Sequence, residues 1–261
     1  MGKEAKMDLG TRIKEYEKES ETIIKLKDNI CIRLDGHKFS RFTKNMNKPF
    51  DEIFVEVMKK TAKDLLLEFN AVTSYVQSDE ITIILPSLSE VSKKGWVHQS
   101  GGRTQKLASL TAGYATLRFN KHLRDSVQNI SDEAYFLKMK DKLDVGYFDA
   151  RVFGVPTASE VFNTILFRVR DAEKNSRSMF SSTYCSHKEL MHKNSLEQVQ
   201  YCLDKTGNDW DLITDHLKFG TFFKKEQYNK SKDVIRSRVV EYSEKLQYSD
   251  SKVQELIRKY K

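Results

Sequence analysis

The hydrophobic pattern changes its period in a fixed order along the first half of the chain, and this order constrains the fold more than any other feature. Residues 29–35 alternate apolar and polar side chains, as a strand with one buried face does. Residues 51–69 place apolar side chains at three- and four-residue steps, which predicts an amphipathic helix. Two β-rich runs, 71–77 and 81–85, then flank a short polar turn and indicate a hairpin.

A second helix and a closing strand complete this order. The pattern predicts a helix over 104–122, which follows two glycines, and a strand over 147–155 that ends at Pro156. The order strand, helix, hairpin, helix, strand predicts an α+β fold with an antiparallel sheet of the ferredoxin-like split βαβ type and helices on one face.

The remaining segments read mainly as helices. Residues 8–27 and the second half of the chain have helical patterns, the latter over about 158–171, 173–185 and 195–205. The charged tail after residue 226 is expected to be helical or partly disordered. We therefore expect one compact unit with two regions: a catalytic sheet region over 1–156, and a helical region over 157–261 that packs against the sheet or forms a lobe.

Charge and cysteine content narrow the class of partner and the compartment. The net charge is +8, from 45 Lys and Arg against 37 Asp and Glu, which favours a polyanion such as nucleic acid, although a basic soluble protein without such a partner would look the same. The 3 cysteines lack paired spacing and indicate a reducing compartment. No apolar run is long enough for a membrane span, and the acidic residues near the start are unusual in a mitochondrial transit peptide. We expect a cytosolic protein that does not use a membrane, with mitochondria as the alternative location.

Acidic side chains stand where two of the predicted strands end. Asp35 closes the first strand, and Asp79 and Glu80 belong to the hairpin tip. In a split βαβ sheet these two places are neighbours, so Asp35 and Asp79 should converge. Converging carboxylates repel each other unless a cation neutralises them, and hard oxygen ligands suit a pair of Mg²⁺ ions. The alternative is that Asp-Gly and Ser-Asp-Glu are ordinary surface turns.

Basic side chains are placed where they could accompany these acids. Lys44 and Lys48 follow the first acid, while Arg103 and Lys106 stand at the start of the second helix. Free backbone N–H groups at a helix start, together with an arginine and a lysine on one face, would hold a triphosphate. Most such pairs are solvated surface residues, so this interpretation depends on the acids.

Several motifs in a fixed order together resemble one enzyme family. These are "IRLDGHKFSRFTK", "QSDEITIIL", "GGRTQKLASLTAGYATLRFN", "FDARVFGVP" and "RDAEKNSRSMFSSTYCSHKELMHKN". They are similar to motifs of the tRNA-His guanylyltransferase superfamily over residues 8–225. The resemblance implies a polymerase-palm-like fold, a homotetramer, and addition of nucleoside triphosphates to tRNA 5′ ends in the 3′-to-5′ direction, after ATP or GTP activates a 5′-monophosphate.

The resemblance also implies roles for individual residues. Asp35, Gly36 and Asp79 would hold two Mg²⁺ ions, with Glu80 beside them as a further catalytic acid. The nucleotide contacts that it implies are His37, Lys38, Phe39, Lys48, Asp51, Ser78, Arg103 and Lys106. The RNA contacts that it implies are Arg33, Asn175, Ser178 and Lys188.

One segment departs from the eukaryotic pattern. Where the eukaryotic enzymes carry His-Ile-Asn-Asn-Leu-Tyr-Asn, this chain has "EKNSRSM". That is similar to the guanylyltransferase-like branch of the superfamily, which repairs 5′-truncated tRNA by templated addition. We expect this repair activity. The alternatives are addition of G at position −1 of tRNA-His, a non-catalytic tRNA-binding paralogue, and a cyclase that joins nucleotides without RNA.

Overall fold

The computed structural model describes residues 8–88, 99–231 and 234–260; the first seven residues, which contribute to the expectation about targeting, lie outside these ranges, as do three residues of the tail. The strands are β1 (Asn29–Gly36), β2 (Thr73–Gln77), β3 (Glu80–Leu85), β4 (Phe148–Val155), β5 (Thr221–Ser231) and β6 (Val234–Tyr242). The helices are α1 (Leu9–Glu19), α2 (Phe39–Phe42), α3 (Glu52–Glu68), α4 (Thr104–Val127), α5 (Glu133–Lys140), α6 (Ala158–Tyr184), α7 (His187–Leu190), α8 (Ser195–Thr206), α9 (Asp215–Phe219) and α10 (Asp250–Ile257). Short 3-10 turns lie at Gln99–Gly102 and Trp210–Leu212.

The described strands form one antiparallel sheet in the order β4-β1-β3-β2-β5-β6. Its first four strands have the order of a split βαβ fold, which confirms the predicted α+β class. β1 lies between β3 and β4, so the end of β1 has a neighbouring strand on each side. Among the helices of the described part of the chain, none has both the length and the apolar character needed to cross a membrane.

Helices cover both faces of the sheet. Ile32 and Leu34 of β1 point into a core that α3 and α4 share, whereas Cys31 points the other way, into a cluster with Phe162 of α6 and Leu256 of α10. The helices of residues 1–156 that pack on the sheet therefore lie on one face, as predicted. Of the two alternatives for the second half, packing against the sheet is correct, because α6 and α10 cover the opposite face.

The prediction that the tail after residue 226 is helical or partly disordered is wrong over its described residues up to Tyr242. β5 and β6 extend the sheet there, and within the tail only α10 is an α-helix among the described residues. Phe222 belongs to one core cluster and its neighbour Phe223 to the other, so both faces of β5 are buried at its start, whereas residues 227–230 are exposed. A strand that is buried on both faces lacks the alternation that identifies a half-exposed strand.

Other boundaries differ more modestly from the predictions. α6 is one helix of 27 residues rather than two, and α1 ends at Glu19 rather than continuing to residue 27. α5 was not predicted. The start of α6 is fixed by Thr157, whose hydroxyl accepts a hydrogen bond from the Glu160 N–H at 3.2 Å. Because α6 is continuous, its first turns lie over the sheet and its last turns extend toward α8.

A buried lysine attaches α10 to the sheet. The Lys224 side chain on β5 is fully buried, and its Nζ donates to the carbonyls of Val72 (2.9 Å) and Arg258 (2.9 Å) and to Thr73 Oγ1 (3.0 Å). The Thr73 hydroxyl in turn donates to the Leu256 carbonyl at 2.7 Å. A cation at the C-terminal end of a helix is favourable because the carbonyls there lack partners within the helix.

We expect Lys224→Met to lower the free energy of unfolding by about 2–4 kcal/mol, because it leaves several buried carbonyls without a donor. The measurement is urea denaturation. Lys230→Met is the control, since Lys230 is exposed on the same strand and its loss should change stability by less than about 0.5 kcal/mol. Equal effects of the two substitutions would contradict the role of Lys224.

Candidate active site

The end of β1 and the tip of the β2–β3 hairpin lie side by side, as predicted. The β1–β3 register pairs Asp35 with Glu80, and the Gly36 N–H donates to the Asp79 carbonyl at 3.1 Å. Ser78 takes a positive φ of 51°, which turns the chain at the hairpin tip. A further acid, Asp149 on β4, pairs with Asp35 from the other side. It was not singled out from the sequence, although it lies in the "FDARVFGVP" motif.

Burial and neighbouring carboxylates raise the pKa values of the two aspartates, Asp35 and Asp79. Burial raises the pKa of Asp79, and the negative charges of Asp35 and Glu80 raise it further. Burial likewise raises the pKa of Asp35, with added repulsion from Glu80 and Asp149 and an opposing effect of nearby arginines. The fold thus holds acids together against their mutual repulsion, which a bound cation would relieve.

The donor set fits magnesium better than a softer metal. In the part of the chain that the structure describes, no group of three or more His, Cys, Asp or Glu side chains is arranged to hold a metal ion. Two carboxylates, Asp35 and Asp79, with the Gly36 carbonyl are a smaller set of hard oxygen donors. Mg²⁺ commonly takes its other ligands from water and phosphate oxygens, so such a set suffices.

Glu80 is placed differently from the two aspartates. Arg168 of α6 brings Nη1 to 3.0 Å from Glu80 Oε2, and Arg33 Nε lies 4.0 Å from Glu80 Oε1. The Arg168 side chain is only 10% exposed, which strengthens this ion pair relative to a solvated one. Glu80 therefore carries its own counter-ions. The sequence did not identify Arg168, because nothing in the pattern of α6 shows which sheet residue it meets.

Gly36 is required by packing beneath the site. A Cβ on Gly36 would lie within 2.5 Å of the Phe39 ring. Phe39 is 2% exposed and packs against Phe54, Phe119 and Phe148. Its side chain thus supports the turn from inside the core, so the nucleotide contact that the resemblance implies for Phe39 stays a prediction for its backbone alone.

The residues that follow Gly36 reach the surface. His37 is partly exposed and stacks on Tyr147 with ring centroids 4.7 Å apart. Lys38 is exposed and takes a positive φ of 57°. The structure therefore leaves both side chains within reach of a ligand beside the end of β1.

A pocket opens next to the hairpin tip. It is partly open to solvent, and Lys48, Asp51 and Ser78, for which the resemblance implies nucleotide contacts, line it. Its apolar wall includes Met58, Val76 and Met179, and its polar wall includes Lys59 and His216. A lining of this kind suits a nucleotide, with a base against apolar side chains and phosphates near a lysine.

Asp51 organises the pocket rather than offering a free carboxylate. It accepts hydrogen bonds from the N–H groups of Phe54 and Asn47, both at 3.0 Å, and from the Tyr135 hydroxyl. The bond to Phe54 caps the start of α3. The bond to Asn47 holds the loop that carries Lys48.

The predicted triphosphate clamp does not form within one chain. The Thr104 N–H donates to the Thr22 carbonyl at 2.9 Å, and Arg103 Nε lies 3.5 Å from Glu21. The start of α4 therefore lies beside the segment that precedes β1. Asp35 is six residues beyond the first residue of β1, about 20 Å along the strand. Arg103 and the exposed Lys106 are therefore remote from the acids of their own chain.

The residues expected to contact RNA lie at different distances from the acids. Arg33 is beside Glu80 on β1. Asn175, exposed, and Ser178, partly buried, lie on α6 about two to three turns after Arg168. Lys188 is exposed on α7, beyond the end of α6 and so more than about 20 Å from Arg168.

Known proteins are similar to this chain in sequence and in fold. A family described as tRNAHis guanylyltransferase matches residues 10–156. An uncharacterized protein of Acanthamoeba polyphaga mimivirus is 31% identical over 263 residues, which cover 97% of this chain and 90% of that protein.

Solved structures of tRNA-His guanylyltransferase and of guanylyltransferase-like proteins have a similar fold. A bacterial tRNA-His guanylyltransferase-like protein in complex with ATP has a TM-score of 0.75 and 29% identity, over 89% of this chain and 91% of that one. In complex with GTP, such a bacterial protein gives 0.71 and 28%, over 95% and 96%. The tRNA-His enzyme of Saccharomyces cerevisiae, at 22% identity and a TM-score of 0.66 over 82% and 92%, shares the fold.

We expect Gly36→Ala to lower the free energy of unfolding by about 1–3 kcal/mol, because the added methyl group must displace the Phe39 ring in a packed core. Gly113→Ala is the matched control. Gly113 is exposed within α4 and a Cβ there meets nothing within 4 Å, so helix propensity should raise stability by up to about 1 kcal/mol. Thermal unfolding measures both variants, and a Gly36→Ala protein as stable as wild type would refute the packing argument.

Proposed function

The chain belongs to the tRNA-His guanylyltransferase family, whose members are nucleotidyltransferases, and on this basis we propose that it repairs 5′-truncated tRNA by templated addition of nucleotides in the 3′-to-5′ direction. The observation that carries the proposal is the shared position of acids and pocket. Ser78 lines the pocket, and the next residue, Asp79, faces the end of β1. Phosphates of a nucleotide in the pocket would therefore lie beside Asp35 and Asp79.

The residues of the chain would bind and orient the reactants. Asp35 and Asp79, with the Gly36 carbonyl, would hold two Mg²⁺ ions, which when bound would supply charge neutralisation at the phosphates and activation of the attacking hydroxyl. Lys48 would donate to phosphate oxygens at the mouth of the pocket. Met58 and Val76 would pack against the base. Positioning of this kind accounts for most of the catalysis in phosphoryl-transfer enzymes generally.

ATP or GTP is the ligand that we assign to the pocket, as the nucleotide that activates a 5′-monophosphate. The bacterial relatives with the same fold were solved with these two nucleotides, which supports the assignment. A template strand would select each incoming nucleotide by base pairing, so the protein needs no side chain that reads the added base. The proposal includes a homotetramer, from the family resemblance, and a cytosolic location, from the composition.

The departing "EKNSRSM" segment supports repair over addition at position −1. Glu173, which stands where the eukaryotic enzymes have histidine, is buried and holds Lys245 Nζ at 3.0 Å and the Arg177 guanidinium. In this chain the position thus joins α6 to the segment after β6. A residue committed to such an internal contact is unsuited to read a specific tRNA feature.

The test compares two 5′-radiolabelled, monophosphorylated substrates: a tRNA that lacks its first acceptor-stem nucleotide and a tRNA-His that lacks only position −1. Each is incubated with the protein, Mg²⁺, ATP and all four nucleoside triphosphates, and products are resolved at single-nucleotide length. We expect extension of the truncated tRNA that stops when the stem is complete. If only the tRNA-His is extended, the activity is guanylyltransferase and not repair. If the protein binds both tRNAs tightly but extends neither, the proposal of a nucleotidyltransferase is wrong.

We expect Asp79→Asn to reduce extension by about 10²–10³-fold, because it removes one of the two carboxylates proposed to hold Mg²⁺. The same change should leave stability unchanged or raise it by up to about 1 kcal/mol, since it relieves repulsion between buried charges. The control is Asp144→Asn, which alters an exposed ion pair with Arg124. Unchanged turnover in Asp79→Asn would refute the assignment of the acids.

We expect Lys48→Ala to weaken ATP and GTP binding about tenfold, as the loss of one charge-assisted hydrogen bond would. Isothermal titration calorimetry measures this directly. Lys44→Ala removes the same charge from the same loop, outside the pocket lining, and should bind nucleotides as wild type does. If both variants lose affinity equally, the effect is one of overall charge and not of a contact in the pocket.

A further inference from the structure

An exposed aromatic side chain stands beside the candidate active site without a role in the core. Phe167 of α6 is 63% exposed, and the neighbouring side chain, Arg168, places its guanidinium 4.1 Å from the centre of the Phe167 ring. Isolated exposed apolar residues are common on proteins. This one is distinguished by its position and by the charged groups around it.

Arg168 fixes Phe167 next to the acids. The Arg168 guanidinium is held by Glu80 at 3.0 Å and lies 3.8 Å from Asp171. Glu80 is the register partner of Asp35. The aromatic ring is therefore linked, through Arg168 and its ion pair with Glu80, to β3, the strand next to the one that carries Asp35.

The geometry of α6 shows which way Phe167 faces. Phe162 contacts Tyr248, and Glu173 contacts Lys245, so their flank of α6 meets the tail segment. At 100° per residue, Phe167 lies about 130° around the helix from these two residues. The buried residues of α6, among them Phe162 and Val169, face the sheet, so Phe167 lies on the outer side of the helix. Its link to the acids is Arg168, whose guanidinium contacts both the Phe167 ring and Glu80.

β4 adds further groups beside Arg33, the second arginine near Glu80. Its register pairs Arg151 with Arg33 and Phe153 with Cys31, so Arg151 and Phe153 lie on the sheet face that α6 partly covers. Arg151 is exposed, and Phe153 is 38% exposed. We call the set formed by Phe167, Phe153, Arg33, Arg151 and Arg168 the aromatic–arginine surface.

We propose that the aromatic–arginine surface binds the end of the RNA substrate by stacking a terminal nucleobase on Phe167, while Arg33 and Arg151 contact backbone phosphates. Aromatic rings flanked by arginines are the usual means of holding unpaired bases, and stacking contributes about 1–3 kcal/mol per base. This proposal rests on the proposed function, because it assumes that an RNA end must reach Asp35 and Asp79.

Stacking suits the proposed reaction for a chemical reason. Each added nucleotide changes the base at the RNA terminus, so a contact that read one base would fail at the next step. Every base has a π face, and a ring therefore holds any of them. The arginines supply positive charge for a polyanion. A second copy of this chain that packed through the same surface would place arginines against arginines, which repel.

The test uses Phe167→Ala, Phe167→Trp and a matched control, Tyr228→Ala. Tyr228 is also an exposed aromatic residue, 39% exposed, with an arginine, Arg238, 5.6 Å from its ring centre. It lies on β5 five residues beyond the pair Ser74–Phe223, past the end of β2 that is remote from the hairpin tip. All three variants change exposed side chains, and thermal unfolding verifies that each is folded.

RNA binding is measured directly, by fluorescence anisotropy of a labelled 5′-truncated tRNA, as well as by extension. We expect Phe167→Ala to weaken binding and to raise KM for the RNA by about 5–50-fold, as the loss of one stacked base would. ATP binding should be unchanged. Phe167→Trp should bind RNA at least as well as wild type, and the introduced tryptophan should be quenched by RNA. Tyr228→Ala should behave as wild type.

Three results would overturn the proposal. The first is wild-type RNA affinity in Phe167→Ala, and the second is an equal loss of RNA affinity in Tyr228→Ala. The third is a change in the mass of the assembly in Phe167→Ala, measured by light scattering, with RNA affinity retained, since Phe167 would then be a contact between copies. If the wild-type protein binds RNA and Phe167→Trp shows the quenching described, but neither protein extends the tRNA, the proposed function fails and the RNA-binding surface stands.

Discussion

The antiparallel pairing of β1 with β3 is the constraint on which the rest of the structure depends. It sets Asp35 opposite Glu80 and joins Gly36 to Asp79, so acids that are distant in sequence share one edge of the sheet. Burial of these acids and, in addition, their mutual repulsion oppose folding, and both raise the pKa values of Asp35 and Asp79. The register survives because a slip by one residue would move the apolar side chains of β1 out of the core and bring Arg33 and Asp35 into it.

The acids at this edge divide into two kinds. Glu80 is held by Arg168, with Arg33 further away at 4.0 Å, whereas Asp35 and Asp79 are left at the edge beside the pocket. Arg168 comes from α6, and β5 of the same half extends the sheet, so residues after 156 complete a site whose acids all come before that residue. A charge that the protein cancels internally serves structure, and a charge that it leaves uncancelled is available to a ligand.

Much of the fold and part of the site follow from the sequence. Period-two and helical patterns identify β1, α3 and the hairpin, and the split βαβ order then implies that Asp35 and Asp79 converge. The same reasoning fails at β5, where Phe222, Phe223 and Lys224 are all buried and no alternation remains. It fails for Arg103 because a helix start can be recognised from its residues, while the sheet edge that it reaches is set by tertiary packing. Arg168 and Phe167 were missed for the same reason.

The strand order also separates the two surfaces that the proposals assign. β1 and β3 carry the acids, β2 leads to the pocket through Val76 and Ser78, and β4 carries Arg151 and Phe153. In the order β4-β1-β3-β2 the acids therefore lie between the aromatic–arginine surface and the pocket. An RNA end held from the β4 side and a nucleotide held from the β2 side would meet at Asp35 and Asp79 without competing for the same wall. The sheet topology, which is fixed by apolar burial alone, thus provides the two approaches that a transfer reaction between a polymer end and a nucleotide requires.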